Sequence, residues 1–165
     1  MEADRLIKKF PKLISRLNAY RAEASWKLEE WDTLETLANQ PMERSFEACL
    51  ATSIAHFRQG KNLAAFVAIE DAKNELVDHL LSTSRDSYQQ SYDHILGLQM
   101  LQEVKQSRFI WEDAKDQKTF QPVKDLQEQW EKQFALASPN YPVQKKLLEL
   151  RQTLLFKIMQ VFLLL

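Results

Sequence analysis

The sequence predicts an all-α protein, an α-solenoid of about seven helices that pair as antiparallel hairpins. The 165 residues include only two glycines and five prolines, too few for the many tight turns of a β-sandwich. Apolar residues recur at steps of three and four through most of the chain, which is the spacing of one helix face. Because a single helical hairpin cannot bury both of its apolar faces, we expect the hairpins to stack. Residues 1–165 are therefore predicted to be one helical-repeat segment.

The first two helices form the hairpin around which the rest of the chain is organised. A helix is predicted over residues 12–30, followed by a second helix that Asp32 caps, with Glu35 three residues later completing a capping box. The indoles of Trp26 and Trp31 flank the turn between the two helices. The predicted inward residues are Leu13, Leu17, Tyr20, Ala24 and Leu28 in the first helix and Leu34, Leu37 and Ala38 in the second.

The third and fourth helices repeat this arrangement. A third helix is predicted over residues 43–59 and ends at Gly60, a C-terminal cap, and Asn62 then caps a fourth helix that runs to about residue 81. Their buried stripes are Phe46, Leu50, Ile54 and Phe57, and then Phe66, Ile69, Leu76 and Leu80. An aromatic residue, a polar turn, a cap and an apolar helix thus recur after about thirty residues, which indicates TPR-like hairpins.

The fifth helix is predicted to begin at Ser84, with Asp86 in its first turn complementing the helix dipole. Its apolar row is spaced by four residues and comprises Tyr88, Tyr92, Leu96, Met100 and Val104. Gly97 lies in the middle of this helix, where glycine costs about 1 kcal/mol relative to alanine. Either a neighbouring helix approaches closely at Gly97, or the glycine is tolerated on an exposed face.

Two further helices complete the predicted solenoid. The polar residues 112–119 are predicted to form an exposed loop, and a sixth helix is predicted to start near Pro122. Residues 138–142 are predicted to end it, and a seventh helix to start near Val143. The buried rows are Val123, Leu126, Trp130, Phe134 and Ala137, and then Leu147, Leu150, Leu154, Ile158 and Phe162. Residues 155–165 are apolar on several faces, which makes this tail atypical of a terminal helix.

The net charge and the cysteine content restrict the partners and the compartment that we expect for this chain. The 22 basic and 23 acidic side chains leave a net charge of -1, so we expect no direct binding of nucleic acid and no attraction to an anionic membrane. The single cysteine, Cys49, fits an intracellular reducing compartment. The N-terminus lacks the apolar segment of a signal peptide, and the apolar C-terminus is interrupted by Lys157 and too short to span a bilayer.

The sequence offers no pattern that predicts catalysis, a cofactor or a metal. Gly60 and Gly97 are isolated, and the glycine-rich loop and the His-Arg-Asp and Asp-Phe-Gly elements of a kinase catalytic domain are absent. The three histidines are scattered, and Cys49 with His56 lacks an orienting third group. The aromatic residues lack the interleaved basic residues of a platform for single-stranded nucleic acid. We therefore predict no catalytic, cofactor-binding or metal-binding residue.

Two stretches resemble a known family. Residues 18–35, NAYRAEASWKLEEWDTLE, and residues 84–104, SRDSYQQSYDHILGLQMLQEV, resemble the helical-repeat FAT region of phosphatidylinositol 3-kinase-related protein kinases, and within them the ATR-like branch of DNA-damage checkpoint kinases. The resemblance is weaker over residues 105–165. It implies a packing role for the motif residues Trp26, Leu28, Trp31, Asp32, Glu35, Tyr88, Tyr92 and Gly97. Trp130 is added to these structural residues because it lies in the apolar row of the sixth helix.

The resemblance also implies a function. We expect a non-catalytic scaffold within a nuclear serine/threonine protein kinase of DNA-damage and replication-stress signalling. Its partners would be the kinase domain of the parent protein, an ATRIP-like subunit and a second copy in a homodimer. The alternative is an independent TPR-like adaptor that binds a peptide or protein in a concave groove lined with Lys, Arg or Asn.

Overall fold

The computed structural model describes residues 13–82, 88–108, 120–136 and 141–163. Within these ranges the chain forms seven helices and no strand. The helices are α1 (Ile14–Lys27), α2 (Trp31–Ala38), α3 (Phe46–Arg58), α4 (Asn62–Ser82), α5 (Tyr88–Gln106), α6 (Phe120–Leu136) and α7 (Tyr141–Leu163). Adjacent helices pack as they do in a helical solenoid, which confirms the predicted fold class.

The chain divides into two compact units, Met1–His79 and Leu80–Leu165. The first unit contains α1, α2, α3 and most of α4, and the second contains α5, α6 and α7. That residues 1–165 form one helical-repeat segment, with a weaker assignment over 105–165 and an atypical tail over 155–165, stays a prediction. The predicted loop at 112–119, the start of the fifth helix at Ser84 with Asp86, and Ala137 all lie outside the described residues.

In the first unit, α1, α2 and α3 pack against one another around a common apolar core. Its residues are almost completely buried and are Ala22, Trp26, Leu34, Leu37, Leu50, Ala51, Ile54, Ala55 and Phe57. The alanines allow the helix backbones to approach, while the indole of Trp26 and the ring of Phe57 fill the space between them. The predicted inward positions of α2 and α3 are confirmed at Leu34, Leu37, Leu50, Ile54 and Phe57, whereas Ala38 and Phe46 are only half-buried.

The predicted inward face of α1 is wrong. Tyr20 is 59% exposed and Leu28 is 68% exposed, and Leu13 and Ala24 are exposed as well. The buried residues of α1 are instead Asn18, Ala19, Ala22, Ser25 and Trp26. The helix is rotated because burying the large indole of Trp26 brings the positions one and two turns before it, Ala22 and Asn18, to the inner face.

The connection between α1 and α2 consists of residues 28–30 and contains no capping box. Glu29 adopts a left-handed backbone conformation (φ 61°) that ends α1 at Lys27, and the Glu30 backbone N–H donates to the Ser25 carbonyl at 2.9 Å. This is the hydrogen-bond pattern of a Schellman motif. Glu30 occupies the cap position of α2 without a side-chain hydrogen bond, so Asp32 lies inside the first turn and does not cap the helix.

The connection between α2 and α3 lies across α1. The Asn18 side-chain amide donates to Gln40 Oε1 and to the Pro41 carbonyl, both at 3.2 Å. The Glu43 backbone N–H donates to the Ser15 carbonyl at 2.9 Å. Asn18 is buried, with 1% of its surface exposed. Its amide supplies hydrogen bonds to one side-chain and one backbone acceptor of this non-helical connection. The segment is thereby fixed to the first two turns of α1.

Both ends of α3 are capped. Its cap residue is Ser45, whose hydroxyl accepts from the Ala48 backbone N–H at 3.2 Å, so the helix begins later than the predicted residue 43. At the other end Gly60 is left-handed (φ 72°), and the Lys61 backbone N–H donates to the His56 carbonyl at 2.8 Å. The predicted glycine cap is confirmed.

The predicted asparagine cap of α4 is wrong. The Lys61 carbonyl accepts from the Ala65 backbone N–H at 3.0 Å, which places Lys61 at the cap position and Asn62 in the first turn. Ile69 and Leu76 are buried as predicted, whereas Phe66 and Leu80 are half-buried. The Phe66 ring meets that of Phe57 edge to face at 5.5 Å between centroids, which joins α4 to α3.

The second unit buries most residues of the predicted rows of its three helices, whereas Tyr92 and Phe134 are half-buried. The buried residues are Leu96, Met100 and Val104 of α5, Val123, Leu126 and Trp130 of α6, and Leu147, Leu150 and Leu154 of α7. The side chains of Ile158 and Phe162 lie outside the described residues. Helix α7 begins at Tyr141, two residues before the predicted start. None of the described helices is long and apolar enough to cross a lipid bilayer.

Candidate functional site

The structure distributes the predicted motif residues of the first unit over different environments. Trp26 is 2% exposed and fills the core, but Leu28 is 68% exposed and does not belong to the packed motif. Leu28 lies at the position that follows α1, where the chain turns toward α2. Trp31 and Glu35 are half-buried, and Asp32 is exposed. The hairpin motif therefore packs chiefly through Trp26, Trp31 and Glu35.

Trp31 and Glu35 contact a residue that the sequence did not single out. The Arg58 Nε donates to Glu35 Oε1 at 2.7 Å, and the Arg58 guanidinium lies 5.1 Å from the centroid of the Trp31 ring. We call these three residues the Arg58 cluster. It joins the last residue of α3 to the first turns of α2 through a charge-assisted hydrogen bond and a cation–π contact. Because Glu35 binds Arg58, its carboxylate serves packing between helices and not the predicted capping box.

In the second unit the motif residues lie on α5 and α6. Gly97 is buried, which removes the alternative that this glycine sits on an exposed face. Tyr92 is half-buried, and Trp130 is 2% exposed in the core. Tyr88 is the first residue of α5, and its side chain lies outside the described part. The packing roles that the family resemblance implies for Tyr88, Tyr92 and Gly97 stay predictions.

Beside Trp130 lies a buried ion pair between α5 and α7. Arg151 Nε donates to Glu103 Oε2 at 2.9 Å, and Arg151 Nη2 donates to Glu103 Oε1 at 2.6 Å. The Gln99 side-chain amide donates to Glu103 Oε1 at 3.2 Å. The Arg151 guanidinium lies 5.3 Å from the Trp130 ring centroid and 5.5 Å from that of Phe134. These five residues, the Arg151 cluster, come from all three helices of the unit.

The Arg151 cluster is buried to a degree that is rare for charged groups. The Glu103 side chain is 0% exposed and that of Arg151 is 9% exposed. Removing two charges from water carries a large desolvation cost, and a bidentate pair with a supporting amide offsets it. Removing only one partner would leave the other charge buried and uncompensated, at a cost of about 3–5 kcal/mol. Replacing one member alone is therefore expected to destabilise the unit.

Sequence reasoning missed Arg58, Glu103 and Arg151. Two of them carried a readable signal, because Glu103 lies between the buried Met100 and Val104, and Arg151 directly follows Leu150 on an apolar face. A charged residue inside an apolar helical row is expected to have a partner. Which partner it has could not be read, since 48 residues separate the two along the chain.

The reactive side chains of the first unit are not arranged for catalysis. Burial, together with the nearby carboxylates of Glu75 and Asp71, raises the pKa of the half-buried Cys49 thiol to about 11. Burial also lowers the pKa of His56, as does the nearby Lys61. A protonated thiol is a poor nucleophile. Within the described residues no group of three or more His, Cys, Asp or Glu side chains could hold a metal ion.

A shallow cavity of about 180 Å³ lies between α1 and the start of α3. It is lined by Arg16, Ala19, Tyr20, Glu23, Glu43, Arg44, Ser45 and Glu47. Arg44 pairs with Asp71 at 3.0 Å, and Arg16 lies 3.9 Å from Glu43. The cavity thus combines an exposed tyrosine ring with charges of both signs, which suits the side chains of a peptide better than a small apolar ligand.

Comparison with known proteins identifies one family. The sequence model of the FAT domain matches residues 18–163, which covers both units. FAT domains are non-catalytic helical regions found in phosphatidylinositol 3-kinase-related protein kinases. No solved structure matches the chain significantly.

Proposed function

Because this chain belongs to the FAT domain family, we propose that it is a scaffold segment of an ATR-like serine/threonine protein kinase. The observation that carries the proposal is the FAT match over residues 18–163, together with a structure whose described elements are all helices. A helical scaffold depends on the packing of each helix against its neighbours. The Arg58 cluster and the Arg151 cluster, which join helices to one another, support this role. The catalytic work would then belong to another part of the parent kinase.

The ATR-like assignment adds a cellular role to this proposal. The resemblance of residues 18–35 and 84–104 to ATR-like kinases supports a role in DNA-damage and replication-stress checkpoint signalling. The segment would support the kinase domain and assist assembly with an ATRIP-like subunit or in a homodimer. The nucleus is the compartment that this role requires, and a single thiol held protonated suits a reducing environment.

A binding experiment with purified proteins tests the scaffold proposal. The 165-residue chain is immobilised and incubated with the kinase region of an ATR-like kinase that lacks its own FAT region. We expect retention of the kinase region on this resin and none on a resin carrying an unrelated helical protein of equal net charge. Equal retention on both resins, or none on either, would contradict the scaffold proposal.

The cavity beside Tyr20 favours one alternative, a TPR-like adaptor that binds a peptide. Under this alternative a library of linear peptides yields a ligand whose binding is lost in the Tyr20→Ala variant. The matched control is Leu63→Ala, because Leu63 is also largely exposed but lies on α4, away from the cavity. Peptide binding that depends on Tyr20, without retention of a kinase region, would replace the scaffold proposal by the adaptor.

An enzyme is the third class. We expect the purified chain to transfer no phosphoryl group from ATP to a protein substrate, because the seven described helices contain no kinase fold. Phosphoryl transfer by the chain alone would overturn the proposal in favour of an unsuspected active site.

A further inference from the structure

Leucines surround Arg151 on α7. The residues three and four positions before and after it are Leu147, Leu148, Leu154 and Leu155. Leu147 and Leu154 are buried in the core, but Leu148 is 51% exposed and Leu155 is half-buried. If α7 slid by about one turn toward its N-terminal end, Leu154 would take the place of Leu150 and Leu155 that of Arg151, so the apolar row alone does not exclude this register. Another feature must select the observed register.

Glu103 and Arg151 provide that discrimination. A displacement of α7 by one turn in either direction, about 5.4 Å, would bring Leu147 or Leu155 to the place of Arg151. The Glu103 carboxylate, 0% exposed, would then face a leucine and lose both hydrogen bonds from the guanidinium. An unpaired buried carboxylate is strongly unfavourable. The displaced registers are therefore excluded electrostatically.

The rest of the Arg151 cluster limits the pair to one geometry. The rings of Trp130 and Phe134 on α6 contact the guanidinium, and the amide of Gln99, one turn before Glu103, donates to the carboxylate. The bidentate arrangement is directional, which a leucine contact is not. All three helices of the second unit thus converge on one polar contact inside an apolar core.

We propose that the Glu103–Arg151 pair is a registry device, which selects a single register of α7 against α5. Buried ion pairs contribute little net stability compared with apolar pairs of similar size, and specifying register is the role for which they are best attested. Replacing both residues by methionine is therefore expected to preserve folding and to release the register. The inference does not depend on the proposed scaffold function.

The experiment measures the distance between α5 and α7 in the full chain. Spin labels are attached at Asp93 and Gln152, which are both exposed, in a Cys49→Ala background, and the distance distribution is recorded by pulsed electron paramagnetic resonance. Asp93 lies about 15 Å along α5 from Glu103, so a sliding of α7 changes the label distance by up to about 5 Å. The unmodified pair is expected to give one distance.

The test variant is Glu103→Met/Arg151→Met. We expect it to melt no lower than the parent and to show a second distance shifted by up to about 5 Å. The matched control, Lys145→Gln/Glu149→Gln, removes an exposed pair of the same helix and should keep one distance. A single unchanged distance in the methionine variant, a second distance in the control, or unfolding of the methionine variant would each overturn the proposal.

Discussion

Glu29 and Gly60 occupy the same position in two helix ends of the first unit. Each is the left-handed residue after its helix, with φ of 61° at Glu29 and 72° at Gly60. A side chain in this region costs about 1–2 kcal/mol, because its Cβ approaches the following carbonyl, whereas glycine lacks the Cβ. The sequence predicted only the second of these ends, since a glycine is visible as a cap and a glutamate is not.

We predict that Glu29→Gly stabilises the chain. Relief of the left-handed strain outweighs the larger entropy that glycine has in the unfolded state, leaving a gain of about 0.5–1 kcal/mol. Urea denaturation followed by circular dichroism measures the difference. The matched control is Glu47→Gly in the first turn of α3, where there is no left-handed strain to relieve and the same entropy term should destabilise the chain. A loss of stability in Glu29→Gly would show that the strain is not released.

The Cys49 thiol gives a pH-dependent prediction. Its pKa is raised from 9.0 to about 11, so at pH 8 the folded chain contains roughly 100-fold less thiolate than the unfolded chain. Alkylation by iodoacetamide at pH 8 should therefore be slower in the native chain by about this factor than in urea, as mass spectrometry would measure. Because the folded state favours the protonated thiol, this contribution to stability is full below pH 9 and is lost as the pH rises toward 11. Equal rates in both states would refute the burial of the thiol.

At the scale of the element, α3 differs from α1 and α2 because a side chain caps its start. The Ser45 hydroxyl accepts from the Ala48 backbone N–H, and no comparable side-chain bond exists at the start of α1 or α2. The sequence predicted all seven helices because apolar spacing within one helix is a local property. It misplaced the capping box at Asp32 because Glu35 has a competing partner, Arg58, which lies 23 residues away. A four-residue capping-box pattern gives no information about a competing partner so far away in the sequence.

We predict that Ser45→Ala costs about 1 kcal/mol of stability, because the Ala48 N–H loses its acceptor. Asp32→Ala should cost less, about 0.3–0.5 kcal/mol, since its carboxylate only complements the dipole of α2. Both differences are measurable in urea denaturation. A larger loss of stability for Asp32→Ala than for Ser45→Ala would indicate that Asp32 does cap α2, contrary to the structure.

At the scale of the molecule, the interior of the second unit combines apolar rows with one buried polar cluster. The rows of α5, α6 and α7 were predicted from spacing alone, but the pairing of Glu103 with Arg151 joins two helices distant in sequence. Periodicity tells which face of a helix is buried and not which residue of another helix it meets. For the same reason the buried face of α1 was mispredicted, because the rotation of the helix about its axis depends on where the Trp26 indole packs.

We predict that Trp130→Ala destabilises the chain by about 3–5 kcal/mol, because it leaves a cavity and removes a ring from the Arg151 guanidinium. Gln127→Ala on the exposed side of the same helix should stay within about 0.5 kcal/mol of the parent. Thermal melts by circular dichroism compare the two. An unchanged melt of Trp130→Ala would mean that α6 does not bury this ring.

The scaffold account is tested most directly in the parent protein that we propose, a full-length ATR-like kinase containing this chain. Glu35→Arg and Arg58→Glu each place like charges together in the Arg58 cluster, and the combined exchange restores opposite charges. If these residues act only by holding α2 to α3, protein kinase activity should fall in each single variant and recover most of its value in the combined one. Full activity in both single variants, or activity in the combined variant no higher than in the single ones, would contradict the account.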